Sequence, residues 1–364
     1  MLKESTPETN ARAWIDVDLG ALVRNARALA RRAGVPLVPM VKADAYGLGA
    51  VAVVRALEQL DPLAYGVATI GEGEELRRAG ITRPVVMFSP ARVEDLPQLR
   101  AAALTPTLAA RDGIEAWATG GGGAWQLSID TGMHRAGVPW HALDPLIETL
   151  RRHPPDGAFT HFHSAELDDG SREQQEARFH SALERLPRRP RLLHTENSAA
   201  ILRSSPSAWD CVRPGVFLYG VGCGAQAALQ PEPVAHLRAR ILETREVPAG
   251  ESVSYDATWR ASGGRRIATV ACGYADGLRR HLGNRGQGIV AGARVPIVGV
   301  VTMDMTMLDI TGVACDIGDV VTLLGVSGDD RLTAEEVAER GGLSPYELLT
   351  GLRQRLPRLH QGGA

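Results

Sequence analysis

The chain has 364 residues, more than one hydrophobic core usually organises, so two domains are expected. Apolar residues make up 44% of the chain and charged residues 23%, which is ordinary for a globular enzyme. The net charge of −2 provides no single-sign field that would attract nucleic acid or an anionic membrane.

The cysteines are scattered and form no CxxC pair. This spacing argues against a zinc site and a disulfide framework, and it suits a reducing compartment. The N-terminal segment has no apolar run typical of a signal peptide, and no stretch approaches the ~20 apolar residues of a membrane span. We therefore expect a cytoplasmic protein that binds no metal. The cysteines are Cys211, Cys223, Cys272 and Cys315.

The segment 12–236 alternates short apolar runs with longer amphipathic stretches. Eight buried strands separated by helices predict a parallel (β/α)8 barrel of the TIM type, with an open doubly wound sheet as the alternative. The predicted strands lie at 35–43, 64–69, 84–89, 104–108, 125–130, 157–163, 191–197 and 211–220.

The pattern changes after residue 236, where short β-rich runs follow one another with turn residues between them. This pattern predicts that 237–364 form a C-terminal, mainly β domain. We expect residues 1–11 to be flexible or to associate with that second domain.

Polar residues stand where the predicted barrel strands end. In a β/α barrel these C-terminal ends meet at one mouth, where the active site lies. A lysine that closes an apolar strand is costly to bury without a partner or a purpose. Taken alone, Lys42 is more simply explained as pairing with Asp44, but five polar groups together favour a shared site. Four of the groups, Lys42, Arg135, His161 and Ser198, follow strand ends, and the fifth, Arg213, stands near the beginning of the eighth strand.

A lysine with a lowered pKa can form a Schiff base, and pyridoxal phosphate is its usual partner. Hydroxyls of Tyr46 and Ser198, with the amides of Gly215 and Val216, are available for the phosphate. Arg213 is placed to face the pyridine nitrogen. His161 could pack on the cofactor ring and hold Arg213 in place.

Together these segments resemble the alanine racemase family almost from end to end. The resemblance rests on many blocks in one order: AWIDVDLGAL, VKADAYG, IDTGMHRAG, THF, ENSAA, VRPGVFLYG, SVSYDATW, GYADG, VPIVGVVTMDMTMLDI and YELLTGLRQRLPR. It implies an isomerase that interconverts L- and D-alanine by a two-base mechanism, through a cofactor aldimine and a carbanion.

By this resemblance Lys42 carries the cofactor and acts as acid and base on one face of the substrate. Tyr255 is the second acid/base, and it comes from the partner subunit of a homodimer with shared active sites. Arg135 and the amide of Met303 bind the substrate carboxylate. Asp304 supports that contact, while Tyr274 and Arg280 belong to the substrate entrance.

The sequence departs from the family at several positions around the site. Ser128 stands where many members have a carbamylated lysine that holds the arginine matching Arg135. Val300 and Glu166 replace an arginine and an aspartate of the entrance. His360 takes the place of a C-terminal tyrosine. These changes leave the main site residues intact, but they leave open which amino acid is the preferred substrate.

Three other functions stay open from the sequence. A racemase with a broader or shifted substrate, such as serine or a larger amino acid, is the first. A pyridoxal-phosphate-binding protein without turnover is the second, and a decarboxylase or aldolase on the same barrel is a further rival. Arg213 argues against those last enzymes, because they are expected to place an acidic group at the pyridine nitrogen or to bind a metal. A role in D-alanine biosynthesis and one in its breakdown are equally compatible with the sequence.

Overall fold

The structure, a computed structural model, describes residues 10–203, 206–224 and 227–362. Its N-terminal half alternates strands with helices. In chain order it contains β1 (Ala13–Asp18), α1 (Leu19–Ala33), α2 (Lys42–Gly47), α3 (Ala50–Leu57), β2 (Tyr65–Val67), α4 (Ile70–Arg78), β3 (Val85–Pro90), α5 (Leu96–Ala101), β4 (Thr105–Leu108), α6 (Arg111–Thr119), β5 (Gln126–Asp130), β6 (Val138–Pro139), α7 (Ile147–Arg152), β7 (Gly157–Phe159), α8 (Ser171–Glu184), β8 (Leu192–His194) and α9 (Ser198–Arg203).

The C-terminal half is mainly β and ends with two short helices and a last strand. Its elements are β9 (Ala235–Val247), β10 (Ser252–Val253), β11 (Trp259–Arg260), β12 (Arg265–Val270), β13 (Gln287–Val290), β14 (Ala293–Pro296), β15 (Thr306–Asp309), β16 (Val320–Ser327), β17 (Asp330–Leu332), α10 (Ala334–Gly341), α11 (Pro345–Thr350) and β18 (Arg358–Gln361). Among the described residues, no helix is both long and apolar enough to cross a bilayer.

The N-terminal half is built on a curled parallel sheet in the order β2-β3-β4-β5-β7-β8, with β6 beside β5. Its strands are buried along almost their whole length because both faces are covered, one by helices and one by the interior. An α/β-barrel domain followed by a β domain is thus confirmed, whereas eight regular strands are not all present. The first and last predicted strands appear only as isolated bridges, Leu37 to Val212 and Met40 to Gly66.

Those bridging segments still make backbone hydrogen bonds to their neighbours. The amide of Val38 donates to the carbonyl of Val212 over 2.8 Å, and the amide of Val41 donates to Gly66 over 2.8 Å. Prolines at 36, 39 and 214 remove amide donors from both segments, which explains why neither forms a regular ladder.

The second domain's largest sheet has the order β14-β13-β16-β9-β1-β18, with β12, β15 and β17 paired at its sides. Strand β1, at 13–18, therefore belongs by pairing to this sheet, although we predict a barrel domain beginning at residue 12. It runs antiparallel to β9 and parallel to β18. Residues 10 and 11 precede it, while 1–9 lie outside the described residues, so the expected behaviour of that segment stays a prediction. One hydrophobic core runs through both domains.

Local signals at the helix ends position the mouth of the barrel. The side chain of Asp18 accepts a hydrogen bond from the amide of Ala21 and caps α1, which ends at Gly34 in the left-handed conformation. Thr69 and Glu72 form a capping box at the start of α4. Because α4 follows β2, this box lies at the same end of the sheet as Lys42.

Candidate active site

Lys42 begins a left-handed turn at the mouth of the barrel. The four residues after it, 43–46, have φ angles of 52° to 57°, and Ala43 and Ala45 have no side chain that would favour this conformation. A left-handed residue with a Cβ costs about 1 kcal/mol. Such strain persists only where the surrounding structure enforces it, and it is concentrated at functional sites.

Neighbouring groups hold this turn from two sides. The carboxylate of Glu72 accepts a 2.8 Å hydrogen bond from the amide of Ala43. At the other end, the Asp44 side chain accepts from the amide of Ala50 over 2.7 Å, so the turn leads directly into α3. His360, on β18, is hydrogen-bonded through Nε2 to the carbonyl of Leu48 over 2.7 Å. The second domain thus supports the lysine loop from behind.

The amine of Lys42 has a lowered pKa. Partial burial by the surrounding walls is the main cause, and the positive charge of Arg135 adds to it. The carboxylate of Glu72 opposes both effects and raises the pKa. A lowered pKa increases the fraction of neutral amine, which is the nucleophilic form that an aldehyde requires.

Arg213 lies at the centre of a buried hydrogen-bond network and is 4% exposed. Its Nη1 donates to Nδ1 of His194 over 2.6 Å, and its Nη2 donates to the carbonyl of Thr160 over 2.7 Å. It also stacks over the ring of Phe159, with its Cζ 5.2 Å from the ring centroid. Burial lowers the pKa of Arg213 to about 10, so its guanidinium remains charged at neutral pH.

Two histidines beside Arg213 are neutral. The pKa of His161 is lowered to about 3, first by burial and then by the charges of Arg213, Arg135 and Lys42. Burial and Arg213 also lower the pKa of His194 well below its usual value. Nδ1 of His194 accepts from Arg213, so its Nε2 carries the hydrogen and donates to Gln126 over 3.2 Å.

The hydroxyls and amides predicted for the phosphate converge beside this network. Ser198 Oγ accepts a 2.9 Å hydrogen bond from the amide of Gly215, which leaves its own hydrogen free to donate. A 3-10 turn then begins at Val216. The ring of Tyr46 stacks on Tyr219 with centroids 4.5 Å apart.

This cradle passes a direct test of fit for pyridoxal phosphate. A Cβ at Gly215 would lie 2.6 Å from the phenolic oxygen of Tyr46, so a side chain there would displace the tyrosine ring or the turn. Ser198 Oγ lies here with its own hydrogen available, Arg213 precedes Gly215 by two residues, and Lys42 begins the turn that carries Tyr46. The residues present can therefore hold an anionic group, an aldehyde and a heteroaromatic ring.

Tyr255 lies on the second domain and its residue is 69% exposed. Ser254 and Asp256, on either side of it, have φ angles of 72° and 64°. The hydroxyl of Ser254 donates to the carbonyl of Val300 over 2.7 Å and fixes this turn. Within one chain, no hydrogen bond or ion pair among the described residues joins Tyr255 to Lys42.

The other second-domain residues lie on loops that an ion-pair network connects. Met303 is 53% exposed, and its carbonyl accepts from the amide of Ala275, next to Tyr274. Asp304 accepts a 2.7 Å hydrogen bond from Arg355. Arg355 also binds the buried carboxylate of Asp276, over 2.5 Å. Beside Tyr255, Arg280 pairs with Asp256 at 3.5 Å, between two exposed side chains.

The positions that depart from the family resemblance have distinct surroundings. Ser128 is 6% exposed on β5. A Cβ at Gly137 would lie 2.9 Å from its Oγ, so no space for a further atom remains between this hydroxyl and Gly137. Val300 is also buried, at 8% exposure. Glu166 is exposed, and its charge reaches Cys223 and Tyr346, whose pKa values it helps to raise.

The structure brings some predicted residues together and leaves others apart. The charges of Lys42, Arg135 and Arg213 all act on His161, so these groups share one mouth. Tyr255 and Met303 lie on the second domain with exposed side chains.

Our sequence reasoning missed three contributors to the site: Glu72, His194 and Tyr219. A signal for Glu72 was available, since Thr69-x-x-Glu72 is a capping-box pattern that directly follows a predicted strand. For His194 the signal was weaker, a polar residue closing an apolar strand. Tyr219, whose hydroxyl donates to the carbonyl of Met40, had none beyond its place in an apolar run.

The fold and the site define a class of α/β-barrel enzyme that holds an aldehyde cofactor on a lysine and adds a β domain to the barrel. Comparison with known protein families places the chain within that class. Residues 17–222 match the alanine racemase N-terminal domain, and residues 234–360 match the alanine racemase C-terminal domain. The chain belongs to the alanine racemase family.

Curated relatives and solved structures agree with this assignment. An alanine racemase of Sorangium cellulosum is 37% identical over 95% of this chain and 98% of its own length. One from Synechocystis is 36% identical over 96% and 98%. The E. faecalis alanine racemase structure superposes with a TM-score of 0.90 at 30% identity, covering 97% of this chain and 99% of that one. The Bartonella henselae alanine racemase, solved with covalently bound pyridoxal phosphate, gives 0.89 at 29% identity, with coverages of 96% and 99%.

Proposed function

We propose that the protein is a pyridoxal-phosphate-dependent racemase that interconverts L- and D-alanine. One observation carries this proposal. Lys42, an amine with a lowered pKa, and the buried cation Arg213 lie at the same barrel mouth, where both charges act on His161. Full-length similarity to curated alanine racemases supports the same activity.

The barrel residues would hold the cofactor at defined positions. Lys42 would bind it covalently, and Tyr46, Ser198 and the amide of Val216 would take its phosphate, with the predicted donor Gly215 acting instead through its 2.9 Å hydrogen bond to Ser198 Oγ. When bound, pyridoxal phosphate withdraws electrons from the substrate Cα and makes its hydrogen acidic. Arg213 would face the ring nitrogen, which it cannot protonate because a guanidinium remains charged at physiological pH. The neutral His161 would pack beside the ring.

Inversion at Cα requires a proton to leave one face and another to arrive on the opposite face. We assign the first face to Nζ of Lys42 and the second to the phenolic oxygen of Tyr255. Arg135 and the amide of Met303 would bind the substrate carboxylate, which fixes Cα between the two bases. Asp304, through Arg355, would hold the Met303 loop in place. Tyr274 and Arg280 would line the entrance.

We propose that the active form is a homodimer with shared sites. The support is the exposure of Tyr255 and Met303, at 69% and 53%, on a domain that also exposes Tyr274 and Met305. A large exposed aromatic or thioether side chain is typical of a surface that another chain covers. In such a dimer, each site would combine the barrel of one chain with the β domain of the other.

We also propose finer points of organisation. The hydrogen bonds of segments 36–41 and 211–214 to their neighbours support closure of the parallel sheet into an eight-strand barrel. Domain boundaries at 12–236 and 237–364, and a cytoplasmic location, remain our predictions. An experimental structure in which segment 36–41 does not pair with segment 211–214 would contradict barrel closure.

The activity is tested by mixing the purified protein and pyridoxal phosphate with L-alanine in heavy water. Racemisation predicts that both enantiomers form with deuterium at Cα and without release of carbon dioxide. Carbon dioxide release would instead indicate a decarboxylase, and cofactor binding without exchange would indicate a binding protein. A parallel screen with serine and larger amino acids tests the alternative that the replacements at Val300 and Glu166 shift the substrate.

A further inference from the structure

The carboxylate of Glu72 makes two contacts more than its local motif requires. In the capping box of α4, one oxygen accepts from the amide of Thr69, over 3.1 Å, and the amide of Glu72 donates to the Thr69 hydroxyl, over 3.3 Å. The same oxygen also accepts from Ala68 over 2.7 Å. The second oxygen lies outside this motif and accepts from the amide of Ala43, over 2.8 Å.

The bond to Ala43 joins two strand ends at the catalytic lysine. Ala68 and Thr69 directly follow β2, and Ala43 follows Lys42 at the end of the preceding extended segment. Ala43 is the first residue of the left-handed turn, with a φ of 52°. A charge-assisted hydrogen bond to its amide offsets the unfavourable conformation and fixes the backbone from which the lysine side chain extends.

The charged groups around Lys42 give Glu72 a second effect. The charge of Arg135 acts on the amine from the loop after β5, and the amine in turn acts on the neutral His161, which follows β7. Behind the turn, Arg358 donates to the carbonyl of Gly47. Glu72 is the acidic group that acts on the amine, and it raises the pKa that burial and Arg135 lower.

We propose that Glu72 is a positioning residue for Lys42: its carboxylate holds the Ala43 amide, fixes the left-handed turn and sets the charge environment of the lysine amine. This proposal rests on the proposed function in one respect, the assignment of Lys42 as the reactive lysine. Its first test needs neither substrate nor cofactor, so it can fail or succeed independently of the racemase assignment.

The sequence makes the lysine directly measurable, because Lys3 and Lys42 are its only lysines. The full chain freed of cofactor is acetylated with limiting acetic anhydride over a range of pH. Mass spectrometry of the Lys42 peptide then reports the apparent pKa and reactivity of that amine. A Lys3→Arg background removes the other lysine.

Three variants separate positioning from helix capping and from general charge. Glu72→Gln keeps the side-chain length and a residue that suits a capping box, but it removes the charge. Thr69→Ala breaks the capping box and leaves the Ala43 contact in place. Glu75→Gln removes the same charge from an exposed position on the same helix.

We expect Glu72→Gln to lower the apparent pKa of Lys42 and change its acetylation rate, whereas Thr69→Ala and Glu75→Gln leave both near the parent values. Equal shifts in Glu72→Gln and Thr69→Ala would reduce Glu72 to a helix cap and overturn the proposal. An unchanged Lys42 in Glu72→Gln would overturn it as well.

The loaded enzyme provides a second readout. We expect Glu72→Gln to lower kcat for alanine roughly ten-fold with little change in KM. The reason is that the lysine is displaced, while the contacts of the protein with the substrate carboxylate remain. Its cofactor absorption band should also titrate at a different pH from that of the parent. Glu72→Asp restores the charge with a shorter reach and should recover part of the loss.

Circular dichroism spectra establish whether each variant is folded. If Glu72→Gln does not fold, the pH-dependent acetylation of Lys42 is measured in Glu72→Asp instead. A parent-like pKa and rate in that folded, shortened variant would then contradict the role of the Ala43 contact.

Discussion

Nη1 of Arg213 lies 2.6 Å from Nδ1 of His194, and both side chains are almost completely buried. Arginine cannot accept a hydrogen bond, so His194 must be neutral and must present an unprotonated Nδ1. Gln126 receives the remaining hydrogen of the ring over 3.2 Å. The protonation state of His194 is therefore set by the residue that faces the proposed cofactor ring.

This relationship predicts the effect of removing the ring acceptor. His194→Leu leaves a buried guanidinium N–H without its partner and should lower the free energy of unfolding by about 1–3 kcal/mol. Cofactor binding should weaken too, since Arg213 loses one of the contacts that orient it, although its bond to the Thr160 carbonyl remains. His194→Asn restores a hydrogen-bond acceptor, the amide oxygen, and should lose less stability and less cofactor affinity. Urea unfolding and absorbance titration with pyridoxal phosphate measure both effects, and equal losses in the two variants would contradict the role of the Nδ1 contact.

Gly215 should tolerate no side chain. Gly215→Ala places a Cβ 2.6 Å from the phenolic oxygen of Tyr46, so the ring or the 3-10 turn must move. We expect cofactor affinity to fall at least about ten-fold, as measured by spectroscopic titration. Gly263→Ala serves as the control, because a Cβ there meets nothing within 4 Å. Parent-like affinity in Gly215→Ala would place the phosphate elsewhere.

A shared active site predicts complementation between two inactive variants. Lys42→Ala lacks the amine and Tyr255→Phe lacks the phenol, so each homodimer should be inactive. After subunit exchange, hybrid dimers contain one intact site each, and random mixing should recover about a quarter of the parent activity. Mass spectrometry verifies the hybrids. Verified hybrids without activity would show that Lys42 and Tyr255 do not act across an interface.

The buried carboxylate of Asp276 should matter for both stability and substrate binding. It accepts from the amide of Gly273 over 2.8 Å and from Arg355 over 2.5 Å. Asp276→Ala should lower the free energy of unfolding by about 2–3 kcal/mol and raise KM for alanine, since the Met303 loop loses its support. The exposed Asp316→Ala is the matched control. A stability loss with unchanged KM would separate this ion pair from substrate binding.

His161 should make the protein sensitive to acid. Its folded pKa, about 3, lies below the value near 6.5 expected in the unfolded chain. Between those two values the unfolded chain binds the extra proton, so stability falls as pH decreases and the loss is complete near pH 3. The slope from this site is about 1.4 kcal/mol per pH unit.

The test of that slope compares variants by urea unfolding between pH 6 and pH 4. His161→Gln removes the titrating group and should flatten the dependence relative to the parent. His141→Gln, at an exposed position, should retain the parent slope. An identical slope in the parent and His161→Gln would mean that His161 ionises freely in the folded protein.

The predicted barrel strands illustrate how far a one-dimensional pattern extends. Residues 126–130 and 157–159 lie in predicted strands bounded by turns, and both form buried parallel strands. The segment around Met40 has the same pattern, yet it pairs only through a bridge. Its prolines remove the amides that a regular ladder would use, a limit that hydrophobicity alone does not reveal.

The site residues also divide into those that the sequence pattern indicates and those that only the folded chain reveals. The sequence was sufficient to select Lys42, because a charged residue that closes an apolar strand requires a reason to be buried, and Arg213, which stands beside the predicted phosphate-binding Gly215. It did not indicate that Glu72 reaches the Ala43 amide, since that contact joins two strands distant in the chain. Nor did it show that β1, although adjacent to the barrel, pairs with β9 and β18.

The order of strands, helices and chemical groups was thus determined by the sequence itself, through periodicity, capping signals and the cost of burying charge. Only the tertiary structure decided which nitrogen of His194 accepts the hydrogen bond from Arg213, how the left-handed turn at Lys42 is held, and on which surface Tyr255 lies. Those features depend on distances between segments far apart in the chain, and close packing and a low local dielectric act only after the chain has folded.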